Sequence, residues 1–266
     1  MINYNTAANS QRVVQQYSNI NNLSVRKRLH ERYSTSGVDI NDWMVNMYPL
    51  NYESTLLELG SGQGTLWEQG RNKKLITCKK VVLSDNSSHM IDILKNKFSN
   101  TKILIKQIDI MNIPYEDESF DMVIANSMLY HVSNLSKAIS EVKRVLKTGG
   151  IFFASTFGEK GLSEYIYEIL KKAGIELSVN HKYSFTLQNG EKPLRSYFSD
   201  VQVELFDNSI LLNDIEPLYD YILSMTIAKD ITIEETKKLR RVLANELKKE
   251  GELLIRKEYG TFIARK

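Results

Sequence analysis

The sequence has little cysteine, little proline and almost no net charge. Its 266 residues include one cysteine, Cys78, so no disulfide forms within the chain. Four prolines argue against a proline-rich linker, and no apolar run reaches the length of a membrane span.

The start of the chain lacks the basic and apolar segments of a signal peptide. The 35 basic and 32 acidic residues leave a formal charge of +3, too small and dispersed for a nucleic-acid surface. We expect a cytoplasmic protein that binds neither nucleic acid nor membranes.

Hydrophobic residues make up 42% of the chain, enough for a sizeable core. After about residue 50, apolar strand-like segments alternate with helical patterns. This alternation predicts an α/β fold: a doubly wound, mostly parallel sheet with N-terminal helices and a helical cap. We predict a helical lid (1–50), a ligand-binding core (51–157), and a cap (158–266) that adds the remaining strands to the same domain. The predicted strands are 55–59, 80–84, 102–106, 120–125, 151–156 and 201–206, with a final strand or hairpin in 252–264. The predicted helices are 64–73, 87–97, 134–147, 162–172, 214–225 and 232–249.

The strongest functional signal is the spacing Gly60-x-Gly62-x-Gly64, which follows an apolar strand segment containing Glu58. Glycine adopts positive φ at little cost and lets a ligand approach the backbone. A dinucleotide fingerprint requires its third glycine three positions after the second, where this chain has Thr65. The segment predicts a strand that ends in a backbone-lined ligand pocket, and a nicotinamide dehydrogenase is disfavoured.

Polar residues also follow the next three predicted strands. Ligands of open parallel sheets bind at the carboxyl ends of the strands, where Asp85, Asp109 and Asn126 fall. Asp85 is placed to accept hydrogen bonds from ribose hydroxyls, although taken alone it also fits a helix N-cap. Asp109 is able to accept an adenine amine beside the Ile110 amide, although alone it also fits a solvated loop.

Taken together, these segments resemble the class I S-adenosylmethionine-dependent methyltransferases. The resemblance covers about residues 52–157 and is greatest for the small-molecule branch that includes quinone-biosynthesis methyltransferases. It implies the seven-stranded methyltransferase fold, S-adenosylmethionine as cofactor and a small-molecule acceptor. The matching segments are Leu57-Glu58-Leu59-Gly60-Ser61-Gly62-Gln63-Gly64, Leu83-Ser84-Asp85-Asn86-Ser87-Ser88-His89-Met90, Asp109-Ile110 with Ile113-Pro114-Tyr115, Phe120-Asp121-Met122-Val123-Ile124-Ala125-Asn126, and Glu141 to Gly150.

The resemblance also implies the role of individual residues. The glycines would line the methionine part of the cofactor, Asp85 would hold its ribose, and Asp109 with Ile110 would meet the adenine. Glu58 would act mainly by fixing the glycine loop. The implied cofactor-contacting set is Glu58, Gly60, Ser61, Gly62, Gly64, Asp85, Asn86, Met90 on the adenine face, Asp109, Ile110 and Asn126 through its backbone.

Catalysis needs little beyond alignment, because the sulfonium already activates the methyl group. In this reading His131 is the candidate base for a hydroxyl acceptor, and a pocket-shaping role fits it equally well. Tyr130 is an aromatic candidate for the face over the sulfonium, as are Tyr17, Tyr33 and Trp43, and a place in the core fits each of them equally well. Tyr33 is a candidate contact to the cofactor carboxylate from the predicted lid. No metal site is indicated.

Two other functions remain open from the sequence. A methyltransferase acting on RNA or protein would need a contiguous basic face, which the dispersed charge does not suggest. A non-catalytic protein that binds S-adenosylmethionine would keep the glycine loop but fill the acceptor pocket. The acceptor, the methylated atom and the oligomeric state are not encoded in any recognisable pattern.

Overall fold

The computed structural model describes residues 20–68, 70–176, 183–225 and 231–266, with side chains from residue 24 onward. The chain divides into two compact units. One, here called the core unit, contains residues 38–157, 183–206 and 259–266, and the other, the helical unit, contains residues 1–37, 158–182 and 207–258. The elements in chain order are α1 (Ile20–Arg32), α2 (Ile40–Met47), β1 (Thr55–Leu59), α3 (Asn72–Ile76), β2 (Lys80–Asp85), α4 (Ser88–Lys97), β3 (Leu104–Gln107), β4 (Phe120–Asn126), α5 (Leu135–Val145), β5 (Leu146–Gly161), α6 (Leu162–Lys172), α7 (Glu191–Arg195), β6 (Asp200–Leu205), β7 (Asn208–Leu212), α8 (Glu216–Leu223), α9 (Ile233–Glu250) and β8 (Leu253–Arg265).

The sheet has the order β3-β2-β1-β4-β5-β8-β6, with β7 paired to β8. Strands β1 to β5 pair in parallel, and β6 and β7 pair antiparallel to β8. The chain runs outward from β1 to β3 and then returns to β4 on the other side of β1. This reversal creates the crevice at the carboxyl ends of β1 and β4 in which such sheets bind ligands.

Alternate residues of the central strands enter two hydrophobic clusters of the core unit. Leu57 and Val123 belong to one cluster, whereas Leu56 and Ile124 belong to the other. Because successive side chains of a strand point to opposite faces, both faces of this sheet are covered. All five residues of β1 are buried, so the glycine loop that follows starts from a rigid strand.

The helical unit has a hydrophobic cluster of its own. Its members come from α1, α6, α8 and α9 and from the strand pair β7–β8, and they include Leu29, Ile166, Ile210, Leu218 and Leu243. Helix α9 begins with a capping box in which the Thr232 and Glu235 side chains each bond the other's backbone amide. None of the helices that the structure describes has the length and apolar character needed to cross a bilayer.

The predicted fold class is confirmed, with differences in detail. The sheet has eight strands, because Asn208–Leu212 forms an additional strand. Helix α7 is also absent from the predicted helices. The predicted helix 64–73 is wrong: the chain forms a short 3₁₀ turn at Thr65–Trp67 and then α3. The glycine at position 70, with φ of 86°, lies between the two and breaks the helix.

Candidate functional site

The three glycines of the loop after β1 all have positive φ, at 71°, 54° and 69° for Gly60, Gly62 and Gly64. A Cβ on Gly60 would lie 2.9 Å from the Met128 side chain, and one on Gly64 would lie 2.9 Å from Phe98. A Cβ on Gly62 would meet no atom within 4 Å. Packing therefore requires two of the glycines, and Gly62 alone of the three faces open space.

Asp85, at the end of β2, is hydrogen-bonded to the glycine loop. The Gly62 amide donates to Asp85 Oδ2 over 3.0 Å, and the Ser87 amide donates to Oδ1 over 2.9 Å. The Ser61 amide donates to the Ser84 carbonyl over 2.8 Å, which ties the loop to β2 a second time. Each carboxylate oxygen of the half-buried Asp85 retains a lone pair for a ligand hydroxyl.

Glu58 lies beneath the loop, where it is 2% exposed. Its Oε2 accepts a hydrogen bond of 2.6 Å from Trp67 Nε1. Burial raises the pKa of Glu58 from 4.5 to about 7, against the opposing hydrogen bonds from Trp67 and Ser61. Glu58 thus connects β1, the glycine loop and the 3₁₀ turn.

The predicted adenine-contacting residues lie on the same edge of the sheet. Strand β3 pairs in parallel with β2, and the Asp109 side chain accepts a 2.9 Å hydrogen bond from the Met111 amide. Asp109 is half-buried, and Ile110 and Met90 are 5% and 6% exposed. Asn86 is exposed, and its carbonyl accepts a 2.8 Å bond from Gln107.

Asn126 ends β4 and belongs to a polar cluster that the sequence did not predict. Its Nδ2 donates to the Tyr48 hydroxyl over 3.0 Å. Its Oδ1 is buried and accepts no hydrogen bond from any residue that the structure describes. Burial raises the pKa of the Tyr48 hydroxyl well above its usual value. The next residue, Ser127, has φ of 51°, and its hydroxyl lies 2.9 Å from that of Tyr259.

His131 and Tyr130 lie in a short 3₁₀ turn after β4. Their rings are 4.4 Å apart, and the Tyr130 ring also contacts Phe157 at 4.9 Å and Tyr183 at 5.8 Å between centroids. Burial lowers the pKa of His131 from 6.5 to about 4, so its imidazole is neutral at pH 7. A neutral imidazole has a nitrogen that can take a proton.

The other predicted aromatic contacts pack against neighbouring residues of their own units. Tyr33 belongs to the helical unit, where its carbonyl accepts a 2.9 Å hydrogen bond from the Leu211 amide and its side chain packs on that unit's hydrophobic cluster. In the core unit, Trp43 packs against Phe206 at 5.1 Å. Tyr17 lies outside the described residues. Across the described ranges, no three His, Cys, Asp or Glu side chains are grouped closely enough to hold a metal ion.

Comparison with known proteins gives three informative similarities. An uncharacterised methyltransferase of Schizosaccharomyces pombe is 34% identical over 113 residues, or 42% of each chain. The ubiquinone/menaquinone biosynthesis C-methyltransferase of Hydrogenovibrio crunogenus is 31% identical over 133 residues, which cover 46% of this chain and 52% of that protein. The structure of a methyltransferase candidate from Bacillus halodurans aligns with 85% of this chain and 98% of its own at a TM-score of 0.60 and 18% identity, a likeness of fold alone.

Residues 57–154 also match the family model described as a methyltransferase domain. The matched segment contains the glycine loop, Asp85, Asp109 and Asn126. This segment of the chain therefore matches a methyltransferase domain, and the similarity to the ubiquinone/menaquinone C-methyltransferase supports the resemblance to the quinone-biosynthesis branch. The alignments span about half or less of the length of these two curated relatives.

Proposed function

We propose that the protein transfers a methyl group from S-adenosylmethionine to a small organic acceptor in the cytoplasm. One observation carries the proposal: the open glycine loop, Asp85, Asp109 and Asn126 follow four neighbouring strands at one edge of the sheet. The residues fit the cofactor chemically, because this edge offers carboxylates for hydroxyl and amine donors and open space over Gly62.

In this proposal, Asp85 accepts from the ribose hydroxyls, and Asp109 and the Ile110 amide contact the adenine. Met90 packs on the adenine ring, and Ser61, Asn86 and the Asn126 backbone complete the contacts with the cofactor. Tyr33 remains a proposed contact to the cofactor carboxylate.

Held by these residues, the cofactor would supply an electrophilic methyl group for transfer to the acceptor and would be released as S-adenosylhomocysteine. His131 is the proposed base for the proton that a hydroxyl acceptor loses. Burial lowers its pKa to about 4, which keeps the imidazole unprotonated near pH 7 and also makes it a weaker base. Tyr130, Phe157 and Tyr183 form an aromatic wall beside it, which orients an apolar or ring-bearing acceptor and excludes water.

Calorimetry with S-adenosylhomocysteine tests cofactor binding by comparing Asp85→Ala with Asp92→Ala. Asp92 is an exposed carboxylate on α4, which makes it a matched control. Because hydrogen bonds to a charged group contribute about 1.5–3 kcal/mol each, Asp85→Ala should weaken binding by about 10-fold or more. Equal affinity in the two variants would contradict the role of Asp85.

Methyl transfer is tested with radiolabelled S-adenosylmethionine and a cell extract separated into small molecules, RNA and protein. The proposal predicts label in the small-molecule fraction, at a rate that Asp85→Ala lowers and Asp92→Ala does not. Label confined to RNA or protein would overturn the small-molecule acceptor. Cofactor binding without label in any fraction would favour the non-catalytic alternative.

A further inference from the structure

The side chain of Asn126 is held in one orientation by a residue distant in sequence. Tyr48, 78 positions away, follows α2 and is 3% exposed. Its hydroxyl receives the Asn126 Nδ2 hydrogen bond, while its ring packs edge-on against Phe153 at 4.8 Å. An amide with one end bonded to a buried hydroxyl has its other end fixed. The unpaired end is Oδ1, a hydrogen-bond acceptor.

Helix α2 is itself attached to the segment after the glycine loop. The buried Arg71 guanidinium forms ion pairs with Asp42 at 2.9 Å and with Asp39 at 3.4 Å, and its Nε donates to the Leu66 carbonyl over 2.7 Å. Asp39 also caps the N-terminus of α2. These contacts hold α2 against the rest of the core unit. They therefore also fix the position of Tyr48, which directly follows this helix.

The register of the sheet places Asn126 beside the glycine loop. Glu58 pairs with Ile124 in the parallel β1–β4 ladder, and Gly60 and Asn126 each follow two residues later along their own segments. On its other side Asn126 pairs with Ser155 of β5. Asn126 therefore ends its strand at the ligand-binding edge of the sheet, with its side chain on the same face of the sheet as Tyr48.

A buried acceptor without a partner costs free energy, and a ligand donor that satisfies it recovers that cost. We propose that Asn126 Oδ1 receives an N–H or O–H of the methyl acceptor next to the donor methyl group, and that Tyr48 is the positioning residue that fixes the amide. This inference rests on the proposed function. It assigns the acceptor to the class of amines and hydroxyl compounds, which bring such a donor to the reacting atom.

The probe for this position is sinefungin, an S-adenosylmethionine analogue that carries an amine where the transferable methyl group lies. S-adenosylhomocysteine has the same adenosyl and amino-acid parts but no amine there. The ratio of their dissociation constants, measured by calorimetry, therefore reports hydrogen-bond acceptors around the methyl position. Glu58 and Asp85 also attract the positively charged amine of sinefungin. The test therefore depends on how the ratio changes between variants and not on its value in one protein.

We expect Asn126→Ala to reduce the preference for sinefungin by about 10-fold and to change S-adenosylhomocysteine binding much less. Tyr48→Phe, which removes one oxygen atom, should reduce the preference at least about threefold by freeing the amide. The control Tyr197→Phe, which removes a hydroxyl bonded to Ser136, should leave the ratio unchanged.

A ratio that stays at the wild-type value in folded Asn126→Ala or Tyr48→Phe would overturn the inference. If Asn126→Ala does not fold, Tyr48→Phe decides alone. Failure of both ligands to bind the wild-type protein would contradict the proposed function itself.

Discussion

Glu58 offers the sharpest physical test of the structure around the glycine loop. Its carboxyl group is buried, and burial raises its pKa from 4.5 to about 7. The folded protein therefore holds a proton on Glu58 that the unfolded chain loses above pH 4.5. The stabilisation from this group is complete below pH 4.5, declines as pH rises and is gone above about pH 7.

The variant Glu58→Gln removes the titration and retains an oxygen that can accept from Trp67. At about 1.4 kcal/mol per pH unit, ionising the buried carboxyl costs about 3 kcal/mol. The free energy of unfolding of Glu58→Gln minus that of the wild type should therefore increase by about 2–3 kcal/mol between pH 5 and pH 8. Urea unfolding at the two pH values measures this difference, and the titration of all other groups cancels in it.

The matched control is Glu53→Gln, since Glu53 is exposed and its ion pair with Lys79, at 3.4 Å, lies on the surface. The free energy of unfolding of Glu53→Gln minus that of the wild type should change by less than about 1 kcal/mol between pH 5 and pH 8. If the Glu58→Gln difference is equal at pH 5 and pH 8, the burial argument for Glu58 is refuted.

Three further predictions concern the loop, a helix cap and the candidate base. Gly64→Ala should lower the melting temperature more than Gly62→Ala, because only a Cβ at position 64 collides with Phe98. Gly62→Ala should lose more affinity for S-adenosylhomocysteine than Gly64→Ala. A larger loss of thermal stability in Gly62→Ala would contradict the packing. Thr232→Ala should cost about 1 kcal/mol of unfolding free energy by removing the cap of α9, and an unchanged urea midpoint would contradict it. Because burial lowers the pKa of His131 to about 4, kcat/KM should fall on the acidic side only near pH 4. The free energy of unfolding should decrease as pH falls from 6.5 to 4, because the unfolded chain binds a proton on His131 that the folded protein does not. A fall of kcat/KM near pH 6.5 would contradict the burial of His131.

The fold and most of the proposed cofactor contacts could be predicted because they depend on local sequence order. Glu58, Asp85 and Asp109 lie in or just after parallel strands. The carboxyl ends of parallel strands lie at one edge of a sheet, so these residues are expected near one another. No contact between distant residues had to be known. The strand alternation alone was therefore enough to group these residues.

Tyr48 could not be predicted, because its partner Asn126 is 78 positions away and depends on how α2 packs. Strand β7 was missed because it is defined by its pairing with β8, which the sequence does not show. Helix α7, with a proline at its third position, has only five residues and no side-chain cap. In each case tertiary contacts, and not local propensity, determine the structure.

The most direct test of the central claim is a crystal structure of the protein with S-adenosylhomocysteine bound. The account predicts the ligand over Gly62, with its ribose hydroxyls within hydrogen-bonding distance of Asp85 and its adenine amine next to Asp109. A ligand bound elsewhere, or one whose ribose and adenine contact neither carboxylate, would contradict it.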